Sequence, residues 1–124
     1  MDTDHDQNKV FINDEGIVEV IIIGDQTETT FKHIYYEAVP LIEKLRADKK
    51  PVLGLVDMSQ ETSYSLASDK AALELIESVD YDKLAMCNAP HFKVTEGIIM
   101  ATGRSNNTKL FKNRDDALAW LHAN

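Results

Sequence analysis

Cysteine is nearly missing from this sequence. Cys87 stands alone, which excludes a disulfide framework and any CxxC metal or redox motif. Basic residues are also in short supply: 13 Lys and Arg face 21 Asp and Glu, a formal net charge of −8. A surface of that sign repels phosphate backbones and anionic headgroups, so neither nucleic acid nor a membrane surface is an expected partner. Long apolar runs are lacking too. The longest aliphatic stretch, Val20 to Ile23, falls far short of the roughly 20 residues that span a bilayer. The opening residues, MDTDHDQ, are acidic and polar, whereas a secretory leader begins basic and continues apolar. A cytoplasmic protein without a membrane span is the expectation. No Pro/Gly/Ser linker, repeat or low-complexity block divides the chain.

What is present fits one domain. A chain of 124 residues, 44% hydrophobic and 27% charged, can bury a sizeable core without disulfides or metal. Residues 1–8 read as a flexible acidic tail and residues 9–124 as a single α/β domain. Val10-Phe11-Ile12 and residues 17–23 read as a hairpin around the turn residues Asn13, Asp14, Glu15 and Gly16. The second strand ends in an unbroken aliphatic run, which suits a central strand covered on both faces. Gly24 and Asp25 turn the chain, and Asp25 with Glu28 has the spacing of a capping box. Phe31, Ile34, Tyr35, Ala38, Leu41, Ile42 and Leu45 then recur at helical spacing. Pro40 interrupts that pattern at a cost of about 3 kcal/mol, which burial of this face outweighs, so one kinked helix is expected.

Residues 51–57 form a third strand, followed by a polar loop to Ser65 and a helix over residues 68–79 with Ser68 as its cap. Residues 84–87 form a fourth strand. Asn88 or Ala89 is placed to cap a third helix, with Pro90 in its first turn and Gly103 at its end. Residues 109–111 make a short fifth strand, and Asn113 with Asp116 opens a last helix. The order is β-β-α-β-α-β-α-β-α. It implies right-handed crossovers and a mainly parallel five-stranded sheet with one antiparallel edge strand.

Ligands of open α/β sheets bind outside the carboxyl ends of the strands. Those ends deliver Gly24 and Asp25, then Asp57, Met58 and Ser59, then Cys87, Asn88 and His91. Asp57, Ser59, Asn88 and His91 are the candidate residues for binding a ligand or partner. Cys87 is also readable as a nucleophile with a lowered pKa before a helix N-terminus, with His91 as its base and Asp57 orienting it. A buried cysteine packing as a small hydrophobe is the competing reading. His33 and Glu37 share a helical face but lack a third ligand, so no metal site is expected. No G-x-G-x-x-G follows a strand and no Walker sequence occurs, so no cofactor is implied. Gly97 reads as a point of close helix packing. Ser59, Ser63, Ser65 and Ser68 form a polar loop open to modification. Tyr36 and Val39 fall off the inward stripe of the first helix, and the third helix is apolar over more than one stripe, which reads as a well-buried helix.

Three stretches carry a resemblance: residues 16–24 (GIVEVIIIG), 51–59 (PVLGLVDMS) and 109–121 (KLFKNRDDALAWL). With the element order, they resemble the SpoIIAA-like proteins, small STAS/SEC14-type domains related to anti-sigma-factor antagonists. The resemblance spans roughly Val10 to Leu121. It implies a sheet with helices mainly on one side and a non-enzymatic, cytosolic regulatory module. Its STAS side implies a protein partner, and its SEC14 side an apolar small molecule such as a lipid. The Asp-Ser-Ser/Thr-Gly start of the second helix, where better-studied STAS domains are phosphorylated, has no counterpart near Ser65-Leu66-Ala67-Ser68. The expectation is a non-catalytic STAS-like module that binds a protein partner or an apolar ligand; the alternative is a small enzyme using Cys87 and His91. A dimerising scaffold, joined through the first helix or a sheet edge, is a third reading.

Overall fold

Asn13 folds the first strand back on the second. Its backbone bonds Ile17 and Gly16, and its side-chain oxygen accepts from the Glu15 and Ile17 amides, while Gly16 takes φ +78°. The structure, a computed structural model, describes residues 7–63 and 66–123; most of the expected tail and Ser65 lie outside the described residues. The elements run β1 (Lys9–Ile12), β2 (Val18–Asp25), α1 (Glu28–Ala47), β3 (Leu53–Ser63), α2 (Leu66–Ser78), β4 (Lys83–Cys87), α3 (Phe92–Thr102), β5 (Thr108–Phe111) and α4 (Arg114–His122). They form the five-stranded sheet expected, in the order β1-β2-β3-β4-β5, with β1 antiparallel and the rest parallel.

Each parallel crossover moves one strand in the same direction. The right-handed rule therefore puts α1, α2 and α3 on one face. Strand alternation follows suit. Val18, Val20, Ile22, Val56 and Met86 point toward those three helices, and Ile17, Leu55, Ala85 and Cys87 point toward Ala117 and Leu121 of α4 on the other. Lys83 fastens α4: its ammonium donates to the Trp120 and Ala123 carbonyls and sits over the Trp120 ring. α1 runs as one 20-residue helix through Pro40, whose side is exposed.

Several local expectations are corrected. The cap of α1 is Thr27, which exchanges hydrogen bonds with Thr30, and Asp25 still belongs to β2, where it accepts from the Thr62 hydroxyl. Gly24 at φ +78° marks a register shift that lets β2 continue past the expected turn. For the same reason the polar stretch after Asp57 is strand, because β2 keeps supplying backbone partners as far as the Asp25–Ser63 pair. α2 begins at Leu66, so Ser68 lies within it. α3 begins at Phe92 with His91 in the cap position, where its side chain does not bond the helix's first amides, and neither Asn88 nor Ala89 caps it; Gly103 ends it as expected. α3 is not well buried: Thr95 and Ile99 alone are buried there, and Met100 is 69% exposed.

Gly97 does not mark close packing, since a Cβ there meets nothing within 4 Å. A solvent-facing helical glycine carries only its entropic cost. Gly97→Ala is therefore expected to raise the unfolding free energy by about 0.5–1 kcal/mol, read from the urea midpoint at unchanged slope.

Candidate functional site: an apolar cavity and a polar group on opposite faces

Three small residues shape the space beneath the helices. Gly54 in β3 lets the Leu84 side chain close in, since a Cβ there would meet Leu84 Cδ1 at 2.9 Å, and Ala38 of α1 and Ala72 of α2 line the same space. Large neighbours such as Val20, Phe31, Ile34 and Ile76 bridge over the gap without filling it, and a cavity of about 90 Å³ remains. Its lining is aliphatic and aromatic throughout, apart from the Tyr81 hydroxyl, which is engaged with Thr108 at 2.6 Å. A second space of about 50 Å³ shares Ile22, Phe31, Val56, Ala72, Ile76 and Met86 as walls. It continues to Glu61, Pro90, His91 and Val94 at the carboxyl ends of the strands. The first space, apolar throughout, stays dry, because water finds no polar partners there.

The opposite face carries a polar group that α4 covers only partly. Glu19 interrupts the apolar side of β2, and its carboxylate is 5% exposed. Arg114 meets it with two bonds, at 2.6 and 2.9 Å, and Asn13 donates a third at 3.0 Å. These bonds, Arg114's first, hold the Glu19 carboxyl below the usual range against the opposing effect of burial. A positive side chain in the first turn of a helix opposes the helix dipole, so the location of Arg114 is explained by Glu19. Asp57 lies in the same neighbourhood and accepts from the Ser59 amide at 3.0 Å and the Asn88 amide group at 3.2 Å. Burial works against its charge, but the Ser59 and Asn88 bonds prevail and its pKa is lowered. Asn88 adopts φ +59°, a region asparagine tolerates, and that backbone aims its side chain at Asp57 and Cys87.

The four candidate residues thus divide between two places. Asp57, Ser59 and Asn88 come together beside Glu19 and Arg114, while His91 lines the mouth of the apolar space on the other face. Cys87 is fully buried on the α4 face, away from His91, and burial followed by the charge of Asp57 pushes its thiol up to about 11. The lowered pKa required of a nucleophile is reversed here. Native protein at pH 7 is accordingly expected to leave a colorimetric thiol reagent unreacted over minutes, and to react with one thiol per chain once unfolded in urea. Among the described residues, no three His, Cys, Asp or Glu side chains are grouped to hold a metal ion, and no helix is long and apolar enough to cross a membrane.

Because the Glu19 and Asp57 pKa values are lowered, their contribution to stability is complete above the ordinary carboxylate range near pH 4. It is lost as pH falls through the folded values. Stability measured from pH 7 down to pH 3 should therefore fall steeply at the acid end, and Glu19→Gln should flatten that limb. An unchanged acid slope in the variant would remove Glu19 from the explanation.

Sequence reasoning missed the Glu19–Arg114 pair. Its signal was present: a carboxylate on an apolar strand face needs a partner, and a first-turn arginine is misplaced unless it has one. A family model described as SpoIIAA-like matches residues 17–122. The fold also resembles a crystal structure of an uncharacterized DUF3478-family protein with a SpoIIAA-like fold from Shewanella loihica PV-4. The TM-score is 0.54 at 19% identity, over 92% of this chain and 91% of that one. That identity supports a shared fold and nothing finer. No curated protein matches the sequence.

Proposed function

We propose that this chain, which belongs to the SpoIIAA-like family, is a small non-catalytic cytoplasmic module that binds an apolar small molecule beneath its helices. The observation that carries the reading is the dry apolar inner cavity, with a second space of partly polar lining beside it at the strand ends, where His91 stands. Burial of apolar ligand surface at about 25 cal/mol per Å² supplies the affinity, and walls already in place limit the ordering cost. The buried, protonated state of Cys87 supports the non-catalytic part of the proposal.

A second reading has its own observation. α4 packs against β3, β4 and β5, leaving Phe11 exposed and Ile21 and Ile23 half-buried on the same side of the sheet as Asp57, Ser59 and Asn88. A protein partner seated there would meet apolar surface rimmed by those polar groups, and a second copy of the chain is one such partner. Sedimentation against concentration tests the second copy; a strict monomer at high concentration removes it.

Native mass spectrometry of gently purified protein, beside a denatured spectrum, tests the first reading. Extra mass that disappears on denaturation is expected for the unaltered chain, and its loss in Ala72→Leu, which fills the wall common to both spaces, places it. A bare chain in both samples would contradict the ligand reading and leave the partner reading standing.

A further inference from the structure

We infer that the half of the sheet left open beside α4 seats one helix of a partner protein, apolar where it meets Phe11, Ile21 and Ile23 and basic along its edges. The inference rests on the partner reading above and names the kind of partner.

The shape of the seat comes from α4. That helix packs on β3, β4 and β5 and reaches β2 through the Arg114 side chain on Glu19. The β1 and β2 half of the same face stays open beside it. Register sets Phe11 opposite Glu19, so Phe11, Ile21 and Ile23 share the face on which Glu19 meets α4. Two strands side by side are about 10 Å wide, the breadth of one helix with its side chains. β2 has eight residues and is about 26 Å long, which about 18 residues of helix match. Leu118, one turn after Arg114 and half-buried, gives the slot a side wall. A helix laid there continues the layer that α4 begins.

The edges of the slot carry charge of one sign. Asp57 stands toward the carboxyl ends of the strands, where it takes its hydrogen bonds from the uncharged Ser59 amide and Asn88 side chain. Asp115 lies exposed in the first turn of α4, and Asp14 and Glu15 lie in the hairpin turn at the other end, with Glu15 on His122. The cations on this side are Lys9, opposite Ile21, and Arg114, which Glu19 already holds. The net charge of −8 acts in the same sense at longer range. A basic helix is therefore steered in, and an acidic one repelled.

Other covers suit the slot less well. Residues 1–6, MDTDHD, bring one apolar side chain and three carboxylates. A two-fold dimer would set the face against itself and bring its carboxylates together.

The test titrates the full chain with two peptides of about 18 residues that share a leucine stripe and carry Lys or Glu elsewhere. Methyl resonances of Ile21 and Ile23 report the slot, and those of Ile76 and Ile98 the opposite face. The lysine peptide is expected to shift Ile21 and Ile23 saturably, and to bind tighter than the glutamate peptide by about tenfold or more. Phe11→Ser should weaken it about tenfold, and Asp57→Asn, which keeps an acceptor for the Ser59 amide, about threefold. Met100→Ser, at an exposed position on α3, should leave binding unchanged. Equal affinity for the two peptides overturns the charge assignment and leaves the partner reading intact. Binding that spares Ile21 and Ile23, or that neither Phe11→Ser nor Asp57→Asn weakens, overturns the seat. No binding by either peptide overturns the inference as a whole. The partner reading then stands if the chain dimerises in sedimentation and Phe11→Ser dissociates it, and falls with a strict monomer.

Discussion

Arg114→Ala is expected to lower the unfolding free energy by about 3 kcal/mol, read from urea or thermal unfolding at pH 7. The loss comes from what remains behind. Glu19 keeps its charge on a carboxylate that is 5% exposed, with the Asn13 bond as its remaining side-chain partner. Breaking a buried ion pair costs about 3–5 kcal/mol, and the lower end applies because the arginine is 38% exposed and water screens part of the pair. Replacing both residues by methionine should recover most of the loss, since an apolar pair of similar bulk leaves no charge stranded. A single-variant loss under about 1 kcal/mol would mean that water reaches Glu19 and that the pair behaves as a surface bridge.

Ile76→Ala is expected to cost about 3 kcal/mol, within the range for aliphatic side chains cut back in a core. Ile76 is 5% exposed and is a wall of both apolar spaces, so the substitution merges and enlarges them. The informative part is its rescue. A ligand that occupies the folded cavity alone restores roughly 1.4 kcal/mol at ten times its dissociation constant, by mass action. Benzene should therefore raise the midpoint of Ile76→Ala more than that of the unaltered chain, whereas a surface variant such as Gly97→Ala should show no extra gain. Equal shifts in all three would mean that benzene acts as a solvent and not as a ligand.

The order of elements was legible because each apolar stretch carries its own period. The aliphatic run over residues 17–23, broken at Glu19 alone, marks β2, and the spacing of Phe31, Ile34, Ala38, Ile42 and Leu45 marks α1. Boundaries set by distant partners were less so. Asp25 with Glu28 and Thr27 with Thr30 offer capping spacings two residues apart, and the bulge at Gly24, a tertiary feature, selects Thr27. The stretch after Asp57 has no strand-like periodicity; backbone pairing with β2 makes it strand. The candidate site was half legible. The rule that ligands of open α/β sheets bind at the carboxyl ends of the strands reached Asp57, Ser59, Asn88 and His91. It did not separate them, because His91 caps a helix that packs on the other face of the sheet from Asp57, Ser59 and Asn88. The cavity draws its walls from β2, β3, β4, α1 and α2, and the Glu19–Arg114 pair joins residues 95 apart in sequence. The cavity leaves no local pattern, and the pair leaves two separate local signals with nothing to join them.

A crystal of the unaltered protein pressurised with xenon tests the central claim most directly. The account predicts anomalous density between β3 and α2, in contact with Val56, Ile76 and Met86, and its absence from Ala72→Leu. Xenon bound elsewhere only, with those three side chains packed against one another, would contradict the claim that this fold keeps an apolar space for a ligand.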